Sequence, residues 1–412
     1  MTYAGAEAYL LELELFGMRL GLERMHRLSA ALGQPERRFA SIHVVGTNGK
    51  SSTVRMIAAL LRRHGLRVGS YTSPHLRSFA ERIEVDGRPV GEEDFAAAVE
   101  RTARAVAAVD SEAEDLDDRV TQFEALTAAA FSELARREVD VAVIEAGLGG
   151  RLDATNVISS RVTALTSAGL EHTRWLGTTV AEIAAEKLAV LGEGSTLVTA
   201  ELSPEAEEVA DRSAAALHAR RVRASPWEGR ALRARGAFQR SNFGVAVAVA
   251  EAFAGPLAPE ALREVAGQVE VPGRLEEVGR EPLVMLDGAH NPPGALALAE
   301  ALPEVLEGRP LTLVLGVLDD KDVPAMLAAL VPRAERVLFT RAPHPRTVAP
   351  AALEAQGRAS GATEIEAVDD PRDALERALA LAGPEGAVLV TGSLHLVGEL
   401  TRGRRRVAAS TA

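Results

Sequence analysis

A lysine that follows two glycines at the mouth of a helix can hold an anion, and this sequence carries such an arrangement. Gly46-Thr47-Asn48-Gly49-Lys50 follows the run Ser41-Ile42-His43-Val44-Val45 and leads directly into Ser51 and Ser52. Val54, Ile57, Ala58 and Leu61 then recur at helical spacing, and Gly65 marks the stop. Strand, glycine turn and helix in that order predict a phosphate cradle. Backbone N–H groups can crowd an anion there, the helix start adds partial positive charge, and Lys50 adds a full one. A hydroxyl just after the lysine, Ser51 or Ser52, can serve a magnesium ion.

A magnesium nucleotide needs hard oxygen donors and keeps some of its waters. Ser73, Glu145, Glu171 and His172 each follow an expected strand: Leu66 to Tyr71, Val139 to Ile144, and Val162 to Thr166. Open α/β sheets gather ligand groups at the carboxyl ends of their strands, so these residues would converge on the face bearing the phosphate loop. Taken singly, Glu145 also fits a helix-capping or ion-paired acid, and His172 a satisfied, partly buried histidine. Their joint placement at neighbouring strand ends is what argues for a site.

The elements that must position these residues alternate along the chain. Helical spacing of Tyr9, Leu10, Leu13 and Leu20 precedes the loop, and only about forty residues stand there, too few for a separate substrate domain. Arg82 to Arg88 reads as a hairpin with Asp86-Gly87 at its tip. Asp110 to Asp118 is acidic without an apolar face and reads as a surface loop. Thr121-Gln122-Phe123-Glu124 opens a helix, and a further helix around Val180 to Val190 carries Glu186 and Lys187. Ser195 to Thr199 reads as a strand, residues 201–235 have no clear pattern, and Asn242 opens an alanine-valine helix. Pro272-Gly273-Arg274 breaks the pattern. Beyond it come strands at Leu283–Leu286, Leu311–Val317, Arg336–Phe339 and Ala387–Thr391, with helices between them. Repeated βα units predict an α/β protein with mainly parallel sheets. We expect a phosphate-loop-type domain over 1–275, a linker over 276–282, and a smaller Rossmann-like domain over 283–412.

At 412 residues the chain exceeds the size at which one core keeps growing, which supports two domains. Without cysteine there is no disulfide frame and no thiolate metal site. No apolar run approaches a membrane span, and Glu7, Glu12 and Glu14 replace the basic start of a signal sequence, so a cytoplasmic enzyme is expected. A net charge of −12 argues against general nucleic-acid binding. The basic run of Arg402 and Arg404-Arg405-Arg406 reads as a solvated tail.

The loop departs from the standard phosphate-loop motif, which needs a glycine where this chain has Val44. The shorter Gly-Thr-Asn-Gly-Lys form resembles that of the Mur ligase superfamily. Six stretches sharpen the resemblance: Gly46 to Lys50, Ser73-Pro74-His75-Leu76, Thr121 to Glu124, Glu145 to Asn156, Glu186-Lys187, and Asp287-Gly288-Ala289-His290-Asn291-Pro292. In this order they are similar to the folylpolyglutamate synthases, including their bifunctional dihydrofolate synthase members. The likeness runs from about Gly21 to His395, and Glu145 to Asn156 is its most specific part. It implies an enzyme that joins L-glutamate to a pteroate or folate carboxylate using ATP and one or two magnesium ions. Thr47, Asn48, Gly49 and Lys50 would hold the ATP phosphates, while Ser73, Glu145 and His172 would ligate magnesium. Asn242, Arg274 and Asp287 would complete the nucleotide site, Asp287 arriving from the second domain. Thr121, Gln122, Phe123 and Glu124 with Leu152, Asp153 and Ala154 would line a pterin pocket.

The resemblance also implies that Lys187 carries CO₂ as a carbamate. This replaces a cation that would repel the metal by an anion that helps position it. The plainer reading is a surface lysine paired with Glu186 or Glu182. Two positions depart from the family pattern: Glu171 stands where aspartate is usual, and Ser51 replaces a glycine. Catalysis would proceed by phosphoryl transfer to the substrate carboxylate and attack of the glutamate amine on the acyl phosphate, with domain closure excluding water. A monomer suits such closure. Two alternatives stand beside this reading. A cell-wall Mur ligase would normally need a nucleotide-sugar domain ahead of the loop. A nucleotide-binding switch or transport ATPase would have no use for the Thr121–Glu124 segment.

Overall fold

The apolar runs become the strands of two sheets. The computed structural model describes residues 1–14, 19–113, 115, 118–229, 232–361 and 364–402. They fall into two units, Met1–Ala231 with Ser241–Val269 and Leu232–Arg240 with Glu270–Ala412.

Among the described residues the first unit holds an eight-stranded sheet. Its strands are β1 (Ala40–Val45), β2 (Val68–Tyr71), β3 (Ile83–Val85), β4 (Arg88–Pro89), β5 (Val141–Glu145), β6 (Ser160–Leu165), β7 (Thr196–Thr199) and β8 (Arg220–Arg223). They lie in the order β4-β3-β2-β5-β1-β6-β7-β8. The β2–β3 and β3–β4 pairs are antiparallel and all other neighbours parallel. Asp86 (φ 51°) and Gly87 (φ 74°) make the expected hairpin tip, both in the left-handed region that such a turn requires. On one face Ala142 and Ile144 share a core with Leu126, Phe131 and Leu134 of helix Gln122–Arg136. Farther along the same face Val45, Leu165 and Leu197 join Ala184 and Leu188 of helix Val180–Leu188, and Ile42, Val44 and Val143, which point the opposite way, are fully buried as well. Cover on both faces is why β1 and β5 read as unbroken apolar runs rather than alternating ones.

The second unit holds a six-stranded sheet: β9 (Glu276–Arg280), β10 (Leu283–Leu286), β11 (Leu311–Leu315), β12 (Arg336–Phe339), β13 (Glu364–Ala367) and β14 (Ala387–Thr391). The order is β13-β12-β11-β14-β10-β9, antiparallel only at β9. Leu298, Leu302, Leu313, Met326 and Leu389 lie in its core.

Several expectations are corrected. Residues 276–280, read as a linker, form edge strand β9, which pairs with β10. The units do not meet at one break, because 232–240 belongs with the second unit while 241–269 belongs with the first. Asn242 does not open its helix, which runs Ala237–Ala254. Residues 201–235 contain helix Pro204–Ala216 and edge strand β8. Strands β8 and β13 escaped notice because they are edges, where charged side chains replace the apolar pattern. Arg404-Arg405-Arg406 lies outside the described residues. Among the described residues no helix is long and apolar enough to cross a membrane.

Phe131 is fully buried, so Phe131→Ala should lower stability by about 3–5 kcal/mol. Urea unfolding followed by circular dichroism checks this, and a loss well below 1 kcal/mol would contradict the packing described.

Candidate active site

The phosphate loop leaves the carboxyl end of β1 and enters helix Lys50–Arg63. Gly49 has φ 85°, and a Cβ there would lie 2.4 Å from Asn242 Oδ1. Glycine is therefore required twice, by backbone conformation and by the close approach of Asn242. The turn after β6 ties the loop down. Ser167 Oγ accepts the Asn48 N–H (2.9 Å), Thr166 Oγ1 donates to the Asn48 carbonyl (2.6 Å), and Thr47 Oγ1 donates to the Gly169 carbonyl (3.1 Å). Lys50 Nζ donates to the Gly46 carbonyl at 2.9 Å, which holds the ammonium over the loop.

Parallel pairing sets Glu145 beside this loop. Val44 of β1 faces Glu145 of β5 in register, and the carboxylate is 1% exposed. Ser51 Oγ donates to its Oε1 (2.9 Å) and the Ser73 N–H to its Oε2 (3.2 Å). The structure thus brings together Ser51, Ser73 and Glu145 at the loop. His172 begins the short helix Thr173–Leu176 in the left-handed region, with Nε2 3.8 Å from Glu171 Oε1. Among the described residues no three His, Asp or Glu side chains gather to hold a metal between them. The donor set still suits magnesium: one carboxylate and nearby hydroxyls are hard oxygens, and this ion is usually bound by one or two carboxylates with phosphates and water.

Lys187 is not a surface residue. It is 3% exposed, near the end of helix Val180–Leu188. Burial, and then the charge of Lys50, push its amine down to about 7, against the opposing pull of Glu171, Asp153 and Glu186. The glycine-rich segment packs directly on this helix. A Cβ on Gly150 would meet the Lys187 carbonyl at 2.6 Å, and the Arg151 N–H donates to the Glu186 carbonyl (3.1 Å).

The residues expected to line a pterin pocket divide into two groups. Thr121 caps helix Gln122–Arg136, with Glu124 closing the capping box. Glu124 is buried and paired to Arg24 Nε at 3.0 Å, while Gln122 Nε2 donates to the Leu10 carbonyl (2.9 Å). These three side chains thus cap the helix and tie it to Leu10 and Arg24. Phe123 stands under the glycine-rich segment, within 2.5 Å of where a Gly147 Cβ would be. Asp153 is buried, Ala154 is buried beside it, and Leu152 is exposed. In the second unit Asp287 is 3% exposed and accepts from the N–H groups of Leu275 (2.9 Å) and Ala289 (2.8 Å). Burial pushes its carboxyl up, and the neighbouring Arg274 charge pulls it down.

Residues 273–394 match the Mur ligase, glutamate ligase domain. The chain is 34% identical to the dihydrofolate synthase/folylpolyglutamate synthase of Bacillus subtilis, over 94% of this chain and 95% of that protein. This chain belongs to the dihydrofolate synthase/folylpolyglutamate synthase family. Among solved structures, Mycobacterium tuberculosis folylpolyglutamate synthase complexed with ADP superposes with a TM-score of 0.90 at 34% identity, covering 97% of this chain and 99% of that one. The bifunctional folylpolyglutamate synthase/dihydrofolate synthase of Yersinia pestis, complexed with AMPPNP and a manganese ion, gives 0.85 at 30% identity, with 98% of each chain covered.

Within this folylpolyglutamate synthase family member, sequence reasoning missed two contributors, Arg24 and His43. Arg24 and Glu124 meet across a separation of 100 residues, and no local pattern signals that pairing. Ser51 reads as a hydroxyl able to serve magnesium and as a departure from the family loop, and in the structure it donates to Glu145. His43 is a polar residue inside a buried apolar run, which was the available signal. Lys187 makes stability pH-dependent. The unfolded amine sits at its ordinary 10.5 and the folded one near 7, so the unfolded chain binds more protons in that window. Stability should therefore rise as pH climbs from 7 toward 10.5. Urea midpoints in CO₂-free buffer should show this rise, and Lys187→Met should flatten it.

Proposed function

We propose that this chain uses ATP to activate a pteroate or folate carboxylate as an acyl phosphate, which the amine of L-glutamate then captures. The observation that carries the reading is the loop Gly46–Lys50, with Asn242 against Gly49 and Glu145 fastened beside it by Ser51 and Ser73. Family membership and the glutamate ligase domain match support the same chemistry. The loop N–H groups and Lys50 would bind the phosphates and offset the charge spread over the transferred phosphoryl group. Glu145, with Ser73 and His172, would hold magnesium, which when bound neutralises phosphate charge. Leu152, Asp153 and Ala154, together with Phe123 and its helix start, would bind the pterin. Arg274 and Asp287 keep the nucleotide role that the resemblance implies. A cytoplasmic monomer belongs to this reading.

Purified protein should release ADP and phosphate only when both glutamate and a pterin substrate are present. Lys50→Ala should lower kcat by about 10²–10³-fold, the scale for removing one preorganised donor from developing charge. Rates with dihydropteroate and with tetrahydrofolate, side by side, decide which activity dominates. No glutamate-dependent turnover with either would overturn the proposal.

Lys187 is the residue we assign to CO₂ capture. Carbamate formation needs the neutral amine, and a buried lysine held down to about 7 supplies it near neutral pH. With ¹³C-bicarbonate, a carbamate carbon resonance should appear in the full chain and be missing in Lys187→Met. Its presence in both would remove the assignment.

A further inference from the structure

A chain of buried polar side chains in the first unit ends on Asp153, and two of its members, His43 and Thr155, have no part in the chemistry above. His43, on β1, and Thr155 are both fully buried, and His43 Nε2 lies 2.8 Å from Thr155 Oγ1. Thr155 Oγ1 donates in turn to Asp153 Oδ1. A hydroxyl has one proton, and the carboxylate takes it. His43 Nε2 must therefore carry its own hydrogen and donate to Thr155. This fixes the imidazole as the Nε2–H tautomer and leaves Nδ1 a bare acceptor, which has no hydrogen-bond partner among the described residues. Burial keeps the ring neutral, with a pKa near 3. With Asp153 ionised, the order of protons along His43, Thr155 and Asp153 follows from these contacts.

At its far end the chain controls a loop. Asp153 Oδ1 also accepts the Thr155 N–H (3.0 Å), and Oδ2 accepts the Leu148 N–H (2.7 Å). One carboxylate therefore pins both ends of the segment Leu148–Thr155. It stands between Leu152 and Ala154, the residues assigned to the pterin.

We propose that His43 is a positioning residue for the pterin substrate, directing the Thr155 proton onto Asp153 and so holding the carboxylate and its loop in the binding orientation. The inference rests on reading Leu152–Ala154 as the pterin pocket. Without the Nε2–H donor, the Thr155 oxygen loses the contact that seats it from the other side, and its hydroxyl is set toward Asp153 Oδ1 by the carboxylate alone. A side chain that merely filled space at position 43 would have no such reach.

The test uses the full chain with His43→Leu, His43→Gln, Thr155→Val and Asp153→Asn, reading Kd for dihydropteroate and for ADP, and kcat against KM. Glutamine places an amide N–H near the imidazole Nε2 position and should restore what leucine loses. His43→Leu and Thr155→Val should weaken dihydropteroate binding about tenfold, the scale of one hydrogen bond in a charge-assisted chain. ADP affinity and kcat should stay near wild type, and His43→Gln should bind close to wild type. If His43→Leu fails to fold, Thr155→Val, which keeps the side-chain shape, carries the test. Weakening by Asp153→Asn with no effect of His43→Leu or Thr155→Val would overturn the positioning role while leaving the pocket in place. Equal losses in His43→Leu and His43→Gln would overturn it too. Unchanged binding in Asp153→Asn would remove the pocket reading, and the inference with it.

Discussion

Val44 faces Glu145 across one side of β1 and Ala164 across the other, and the rest of the site follows from that register. Parallel strands deliver their carboxyl ends to one edge of the sheet. The phosphate loop, the Glu145 carboxylate and the Thr166-Ser167 turn consequently emerge together although some 120 residues separate them. Slipping β5 by one residue would send Glu145 to the opposite face of the sheet and Ile144 toward the loop. The apolar cover on both faces forbids that slip, since it would put a carboxylate into a dry core. The core thus fixes the site geometry.

The same burial decides the chemistry of individual groups. Lys187 and Lys50 repel each other in a region with little water, and the deeply buried amine of Lys187 is the one that gives way. Asp153 and Asp287 are pushed toward their neutral forms by burial and pulled back by backbone N–H donors. Each buried carboxylate is also a clamp, because it accepts the N–H groups of nearby loop residues, Leu148 and Thr155 for Asp153 and Leu275 and Ala289 for Asp287. Holding a loop and tuning a charge are one interaction here.

Much of the site was legible because its chemistry is local. The spacing Gly46 to Lys50 needs only neighbours along the chain to form its cradle, and Asp86-Gly87 needs only its own dihedral preferences to turn. Buried central strands were legible for the same reason, their apolar runs being too long to hide. Edge strands β8, β9 and β13 were not, since an edge that faces water carries charges and loses its signature. Glu124 shows how the fold adds partners that the sequence does not signal. In the sequence it is one member of a polar cluster, whereas in the fold it answers Arg24 and caps its own helix.

The sequence by itself determined that a lysine-bearing phosphate loop opens a parallel α/β unit, that a second α/β unit follows, and that acids stand after buried strands. These are properties of periodicity and of residues a few places apart. Only the tertiary structure decided that Lys187 is buried rather than surface-paired and that Ser51 serves Glu145. It alone showed that Asn242 lies against Gly49 and that His43 reaches Asp153 through Thr155. Each of these joins residues far apart in the chain through a close approach in space. Packing and register set such approaches, and no local pattern encodes them.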